Sequence, residues 1–138
     1  MTREVHVSAA VVLDPAGRAL LVRKRGTETF MQPGGKPEPD ETPAQTLARE
    51  LHEEVGLSVD ADELVPLGLF RAAAANEPGF TVVAHAFVLP RAVDPAEVVA
   101  EAEIAELRWF DESEASALPL APLSHVLLPL VWRGTASA

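Results

Sequence analysis

The segment 42–56, TPAQTLARELHEEVG, constrains the fold of this 138-residue chain more than any other stretch. Thr42 is a helix N-cap residue, Pro43 has the fixed φ that suits the first helical position, and Gln45 completes a capping box with Thr42. Ala44, Leu47, Ala48, Leu51 and Val55 recur at helical spacing and form one apolar face. Gly56 follows as a residue that tolerates the left-handed conformation in which many helices end. The spacing therefore predicts a helix over 42–55 that must bury one stripe, and the rest of the chain has to supply a surface for it.

Strand-like segments supply that surface. Residues 6–13 (HVSAAVVL) are rich in β-branched side chains and end at Asp14-Pro15-Ala16-Gly17, a turn sequence. Residues 19–24 (ALLVRK) resume the apolar pattern, which predicts a hairpin of the two. A loop without period follows over 25–39 and contains Pro33-Gly34-Gly35. Further strands are predicted over 64–73 and 80–89, around a turn at Asn76-Glu77-Pro78-Gly79, and over 106–110. Helical turns are expected near 96–100 and 111–117, helix-like spacing broken by Pro129 over 123–132, and a frayed tail over 134–138. The order of elements predicts one α+β domain over 1–138, with a mixed β-sheet between helices.

Composition narrows the chemistry. The absence of cysteine excludes a disulfide scaffold, a thiolate metal site and a cysteine nucleophile. Eleven basic residues face 21 acidic ones, a formal net charge of −10, which argues against long nucleic acids or anionic membranes as main partners. A small anionic substrate remains compatible with that charge if a divalent cation stands between it and the carboxylates. No apolar run approaches the roughly 20 residues of a membrane span, and no signal peptide opens the chain, so a cytoplasmic protein is expected.

Glu50, Glu53 and Glu54 fall within an arc of roughly 100° on the predicted helix. Their mutual repulsion is relieved by a hard cation such as Mg²⁺, or Mn²⁺ in its place, which takes oxygen ligands and keeps room for substrate phosphates. Arg49 is placed to pin one of the carboxylates through a bidentate pair. A Glu-Glu pair alone is ordinarily a solvated helix face, but here it sits in a longer pattern. From Gly35, five residues precede Glu41 and seven more precede Arg49-Glu50-Leu51, followed by Glu53-Glu54, Gly56 and Leu57.

That 23-residue pattern over 35–57 resembles the signature of the Nudix hydrolase family, with every defining position filled. The resemblance implies a mixed sheet sandwiched between helices (α/β/α) and a box built as loop, helix and loop. It implies Mg²⁺-dependent hydrolysis of a nucleoside diphosphate linked to a further group. Glu50, Glu53 and Glu54 would hold the metals, with one of them also accepting a proton, and Gly34 would lend a backbone carbonyl. Glu41 and Arg49 would hold the box loop to its helix. A further metal carboxylate often precedes the strand that ELRWF matches; of Glu101, Glu103 and Glu106, counting back from Trp109 selects Glu103.

Substrate contacts are expected from Gly35, from the basic strand end at Arg23, Lys24 and Arg25 (chiefly Arg23 and Arg25), from Phe30 and from Gln32, a polar residue where many members carry Leu or Phe. With no tyrosine in the chain, base stacking has to draw on Phe30, Phe70, Phe80, Phe87 or a tryptophan. His85 and His125 are weaker candidates, and His52 fills a free position of the box. The size of the chain is close to that of MutT-like members acting on nucleoside triphosphates, including oxidised ones, which yields a monophosphate and pyrophosphate. ADP-ribose, nucleotide sugars and dinucleoside polyphosphates are the alternative substrates, and a non-catalytic nucleotide-binding module is the alternative role. Isoprenoid diphosphate isomerisation on the same fold relies on a cysteine that this chain lacks. A monomer or homodimer is expected.

Overall fold

A computed structural model describes residues 3–75 and 77–132. Asn76 of the expected turn and the 134–138 tail lie outside the described residues. The elements are β1 (Arg3–Val11), β2 (Ala19–Lys24), β3 (Phe30–Met31), β4 (Gly34–Gly35), α1 (Pro43–Val55), β5 (Val65–Ala73), β6 (Phe80–Val88), β7 (Ile104–Phe110), α2 (Glu112–Ala115) and α3 (Pro122–Trp132). Short 3₁₀ turns occupy Ala61–Glu63 and Pro95–Glu97.

α1 forms as its sequence dictates. The Thr42 hydroxyl accepts from the Gln45 amide and the Gln45 side chain accepts from the Thr42 amide, so the capping box closes in both directions. Gly56 ends the helix at φ 69°, where a side chain would be strained. Leu47, Leu51 and Val55 are fully buried.

The strands fall into two sheets: a mixed one in the order β4-β1-β6-β5, where β1 runs parallel to β6, and an antiparallel one in the order β3-β2-β7. The expected hairpin of β1 and β2 does not form. Both edges of β1 are taken, by β4 and β6, so β2 meets it only at the turn, where Leu20 N–H donates to Val12 and Leu13 bridges Ala19. Asp14 holds that turn; its buried carboxylate accepts from the amides of Ala16 and Arg18 and from the Arg18 guanidinium.

Side-chain alternation along β1 and β2 then builds the sandwich. Ala10, Val12, Leu20 and Val22 face α1 in one core, together with Phe87, Leu89 and Ile104. Ala9 and Val11 face Leu123 and Leu127 of α3, while Ala19 and Leu21 pack with Phe110 and Leu128. The mixed sheet between helices is thus present, with a second small sheet continuing it.

Two further expectations need correction. α3 runs through Pro129 without ending. The proline removes the N–H that the His125 carbonyl would have accepted, but burial of Leu123, Leu127 and Leu128 keeps the helix on the sheet. The segment 25–39 is not all loop, because β3 and β4 form within it. β4 consists of the two glycines, Gly34 pairing with Ala9 and Gly35 with Ser8. This brings the start of the box against the middle of the chain's central strand. No helix among the described residues is long and apolar enough to cross a membrane.

Candidate active site

Arg49 is the centre of the polar structure on α1. Its Nε and Nη2 donate to the two oxygens of Glu41 at 2.7 and 3.0 Å, and its Nη1 donates to Glu50 at 2.9 Å and Glu53 at 3.0 Å. Nη2 also reaches the Lys36 carbonyl, which ties the loop to the helix. The Arg49 fork holds the Glu41 carboxyl down at a pKa of about 2, helped by the Glu38 amide. The surrounding carboxylates in turn raise the guanidinium further above its ordinary value, against its own desolvation.

Glu54 and Glu50 are the more buried of the box carboxylates. Glu54 is only 3% exposed, and its Oε1 accepts from the Gly34 N–H at 3.1 Å. Burial drives its pKa up to about 7; the Gly34 bond opposes this, repulsion from Glu50 adds to it, and Lys24 and Glu103 pull in opposite directions. Glu50 is also raised by burial, with Arg49 working against the rise. Glu53 is half exposed and is held by Arg49. Glu103 pairs with Lys24 at 3.4 Å. Among the described residues no three carboxylate or histidine side chains converge closely enough to hold a metal ion as they stand. Glu50 and Glu53 are ion-paired with Arg49, through the same nitrogen, and Glu103 with Lys24.

A cavity of about 710 Å³ opens beside this cluster. Glu50, Gly34, Gly35, Lys24 and Glu103 line it, and so do Arg25 and Gln32. Arg23 does not line it; its guanidinium is committed to Glu106 and the Thr27 carbonyl. The register of β2 against β7 slips between Arg23, opposite Glu106, and Lys24, opposite Ile104. Such an irregularity re-aims neighbouring side chains, and Lys24 rather than Arg23 enters the cavity wall. Phe30, expected at the substrate, is instead buried edge-on against Phe110 at 5.2 Å. No aromatic residue lines the cavity among the described residues, nor does His85 or His125.

The sequence matches the family description "NUDIX domain" over residues 2–131. The chain belongs to the Nudix family. A MutT-like protein of Streptomyces ambofaciens is 46% identical over 56 residues, 41% of this chain and 36% of that one. A Mycobacterium tuberculosis protein with the provisional name 8-oxo-dGTP diphosphatase 3 is 35% identical over 106 residues, covering 76% of this chain and 46% of that one. This chain therefore spans less than half the length of either relative. The solution structure of the Escherichia coli ORF135 protein matches with a TM-score of 0.72 at 27% identity, over 99% of this chain and 93% of that chain.

The two glycines of the Nudix segment have different reasons to be glycine. At Gly34, φ is +151° and a Cβ would run into the Ser8 carbonyl oxygen, so Gly34→Ala must push β4 off β1. At Gly35 a Cβ would lie 2.5 to 2.7 Å from the Glu50 carboxylate, the mobile end of a side chain. We expect Gly34→Ala to lower the melting temperature by several degrees, and Gly35→Ala to melt near the wild type while displacing Glu50 and losing most activity. Calorimetry and initial rates on both variants check the pair; equal melting losses would contradict it.

Proposed function

We propose that this Nudix chain hydrolyses a diphosphate linkage in a nucleoside diphosphate derivative, with a nucleoside triphosphate as substrate and a monophosphate and pyrophosphate as products. The observation that carries the reading is the placement of Glu50, Lys24 and Glu103 on the wall of one cavity with the Gly34-Gly35 pair, with Glu54 bonded to that pair from beneath. A volume of about 710 Å³ falls in the range of small-molecule sites. The name of the 8-oxo-dGTP diphosphatase relative supports the triphosphate choice.

An all-oxygen donor set suits a hard cation, Mg²⁺ or Mn²⁺. Glu50, Glu53 and Glu54 would hold it, with Glu103 and the Gly34 carbonyl, once the first two leave Arg49 and Glu103 leaves Lys24. When bound, the cation neutralises phosphate charge and makes the phosphorus more electrophilic. One of the box carboxylates accepts the proton of the attacking water. The water oxygen forms its bond to one phosphorus of the α–β anhydride, the bond from that phosphorus to the bridging oxygen breaks, and monophosphate and pyrophosphate separate. Lys24 and Arg25 lie where they can hold phosphate oxygens, while Glu41 and Arg49 fix the loop against the helix.

A hydrolysis screen with Mg²⁺ or Mn²⁺ over triphosphates, oxidised triphosphates, nucleotide sugars, ADP-ribose and dinucleotides tests this. The expected result is turnover of a triphosphate to monophosphate and pyrophosphate, abolished by a chelator and restored by added cation. Turnover that ignores the chelator, or release of orthophosphate in place of pyrophosphate, would overturn the assignment.

A further inference from the structure

We propose that the left-handed turn at Ala102 carries Glu103 from the end of α1 to the cavity wall, which makes Ala102 a positioning residue for the divalent cation. The inference rests on the metal-dependent hydrolase reading and extends it to a residue that has no ligand atom in its side chain. Among the described residues, Asp40 and Ala102 are the non-glycine positions with positive φ, at 69° and 53°. Aspartate has a short polar side chain that bonds locally and tolerates this region, whereas alanine has no such compensation. Ala102 is also exposed, so burial of its methyl group does not explain the conformation.

The backbone on either side does explain it. Glu101 N–H donates to the Glu54 carbonyl at 2.9 Å, and Val99 N–H to the Val55 carbonyl at 3.1 Å. Both acceptors belong to the last turn of α1, where carbonyls have no partner within the helix, so the segment 99–101 is docked on the helix end. Two residues later, the Glu103 carbonyl accepts from the Arg25 N–H at 2.9 Å, just past the end of β2. Between these anchors the Glu101 carbonyl accepts from the Ile104 N–H at 3.0 Å, which closes a four-residue turn with Ala102 at its first central position. A positive φ at that position is ordinarily taken by glycine, asparagine or aspartate.

Both anchors belong to the site. One is the backbone of Glu54 itself, and the other is the amide next to Lys24, whose ammonium pairs with the Glu103 carboxylate at 3.4 Å. The turn thus spans from the helix that carries the box carboxylates to the strand end that carries Lys24, and it delivers Glu103 to the cavity wall. A backbone in an unfavourable conformation persists only where its surroundings over-determine it, and such positions cluster at functional sites. A negative φ at Ala102 would redirect the chain, so that one anchor is kept and the other lost, and Glu103 would leave the wall.

The test measures Mn²⁺ affinity of the full chain without substrate, by electron paramagnetic resonance of the free ion, together with the melting temperature in chelator. Ala102→Gly takes a positive φ without strain; it is expected to melt at or above the wild-type temperature and to bind Mn²⁺ within about twofold of the wild type. Ala102→Val introduces a β-branched residue that resists positive φ, and is expected to bind about tenfold more weakly. Glu103→Gln is expected to lose a similar factor. Adding Ala102→Val to Glu103→Gln should then change the affinity by less than about twofold, because the valine acts only through Glu103. A general loosening of the fold would give additive losses instead. A lower melting temperature for Ala102→Gly, wild-type affinity in Ala102→Val, no effect of Glu103→Gln, or additive losses in the double variant would each overturn the proposal. Triphosphate turnover by the wild type separates the two claims: turnover with additive losses removes the positioning turn and leaves the hydrolase standing, whereas the expected affinities without turnover of any nucleotide screened remove the hydrolase and leave the turn.

Discussion

Glu54→Gln is expected to lower kcat/KM by roughly 10²- to 10⁴-fold and, at the same time, to stabilise the metal-free protein at pH 8. The two effects share one cause. Glu54 is buried with its pKa at about 7, against 4.5 in its ordinary state. Below pH 4.5 the group is neutral whether the chain is folded or not, and burial is tolerated. As pH rises through 7 the folded chain has to hold a buried carboxylate that the unfolded chain would leave in water. That difference removes on the order of 3 kcal/mol of stability by pH 8. Glutamine has the same shape and still accepts from the Gly34 N–H, but it never ionises. Denaturation in chelator at pH 5 and pH 8 should show a fall for the wild type that Glu54→Gln largely lacks, while initial rates with Mg²⁺ show the loss of turnover. A variant that keeps full activity would remove Glu54 from the site.

Arg49→Lys should unsettle the loop and the helix together. The guanidinium makes five hydrogen bonds, to Glu41 twice, to Glu50, to Glu53 and to the Lys36 carbonyl. A lysine keeps the charge but has a single nitrogen, which cannot span carboxylates on several sides. The expected result is a marked fall in stability at pH 7, with most of the activity lost as the box loop comes away from the helix. The pH dependence has the opposite sign to that of Glu54. Glu41 is depressed to a pKa of about 2, so its contribution is complete above pH 4.5 and disappears as pH falls toward 2. The gap between wild type and Arg49→Lys should accordingly narrow in acid. A gap that is constant from pH 7 to pH 2.5 would mean that the Arg49–Glu41 pair is not its source.

What could be read from the sequence was whatever depends on near neighbours. The capping box of Thr42 and Gln45, the apolar stripe of Leu47, Leu51 and Val55, and the Gly56 stop are local, and all appear as expected. So is the spacing that recognises the family. The β1–β2 hairpin was misread because turn chemistry at Asp14 is local, while the occupancy of both β1 edges by β4 and β6 is not. Pro129 was misread for the same reason: its lost hydrogen bond is local, and the packing of Leu127 and Leu128 that outweighs it is tertiary. At the site, the choice between Arg23 and Lys24 turned on a register slip set by the partner strand β7. The burial of Phe30 likewise depended on Phe110, far along the chain. Gln32 stands out in the sequence only against the family, as a polar residue where many members carry Leu or Phe.

The Gly34–Ala9 and Gly35–Ser8 pairing has a consequence for how chains of this kind can diverge. It divides the cavity wall along β1: Ser8 and Ala9 line the cavity while paired to the segment that carries the carboxylates, and Val5 and Val7, farther back along the same strand, line it with Ala73, Val82 and Leu123. The second group touches none of the ion pairs around Arg49. Substitutions there can reshape the cavity wall without touching the carboxylates gathered around Arg49, so the contour of the cavity and the charge of its floor can change independently of each other.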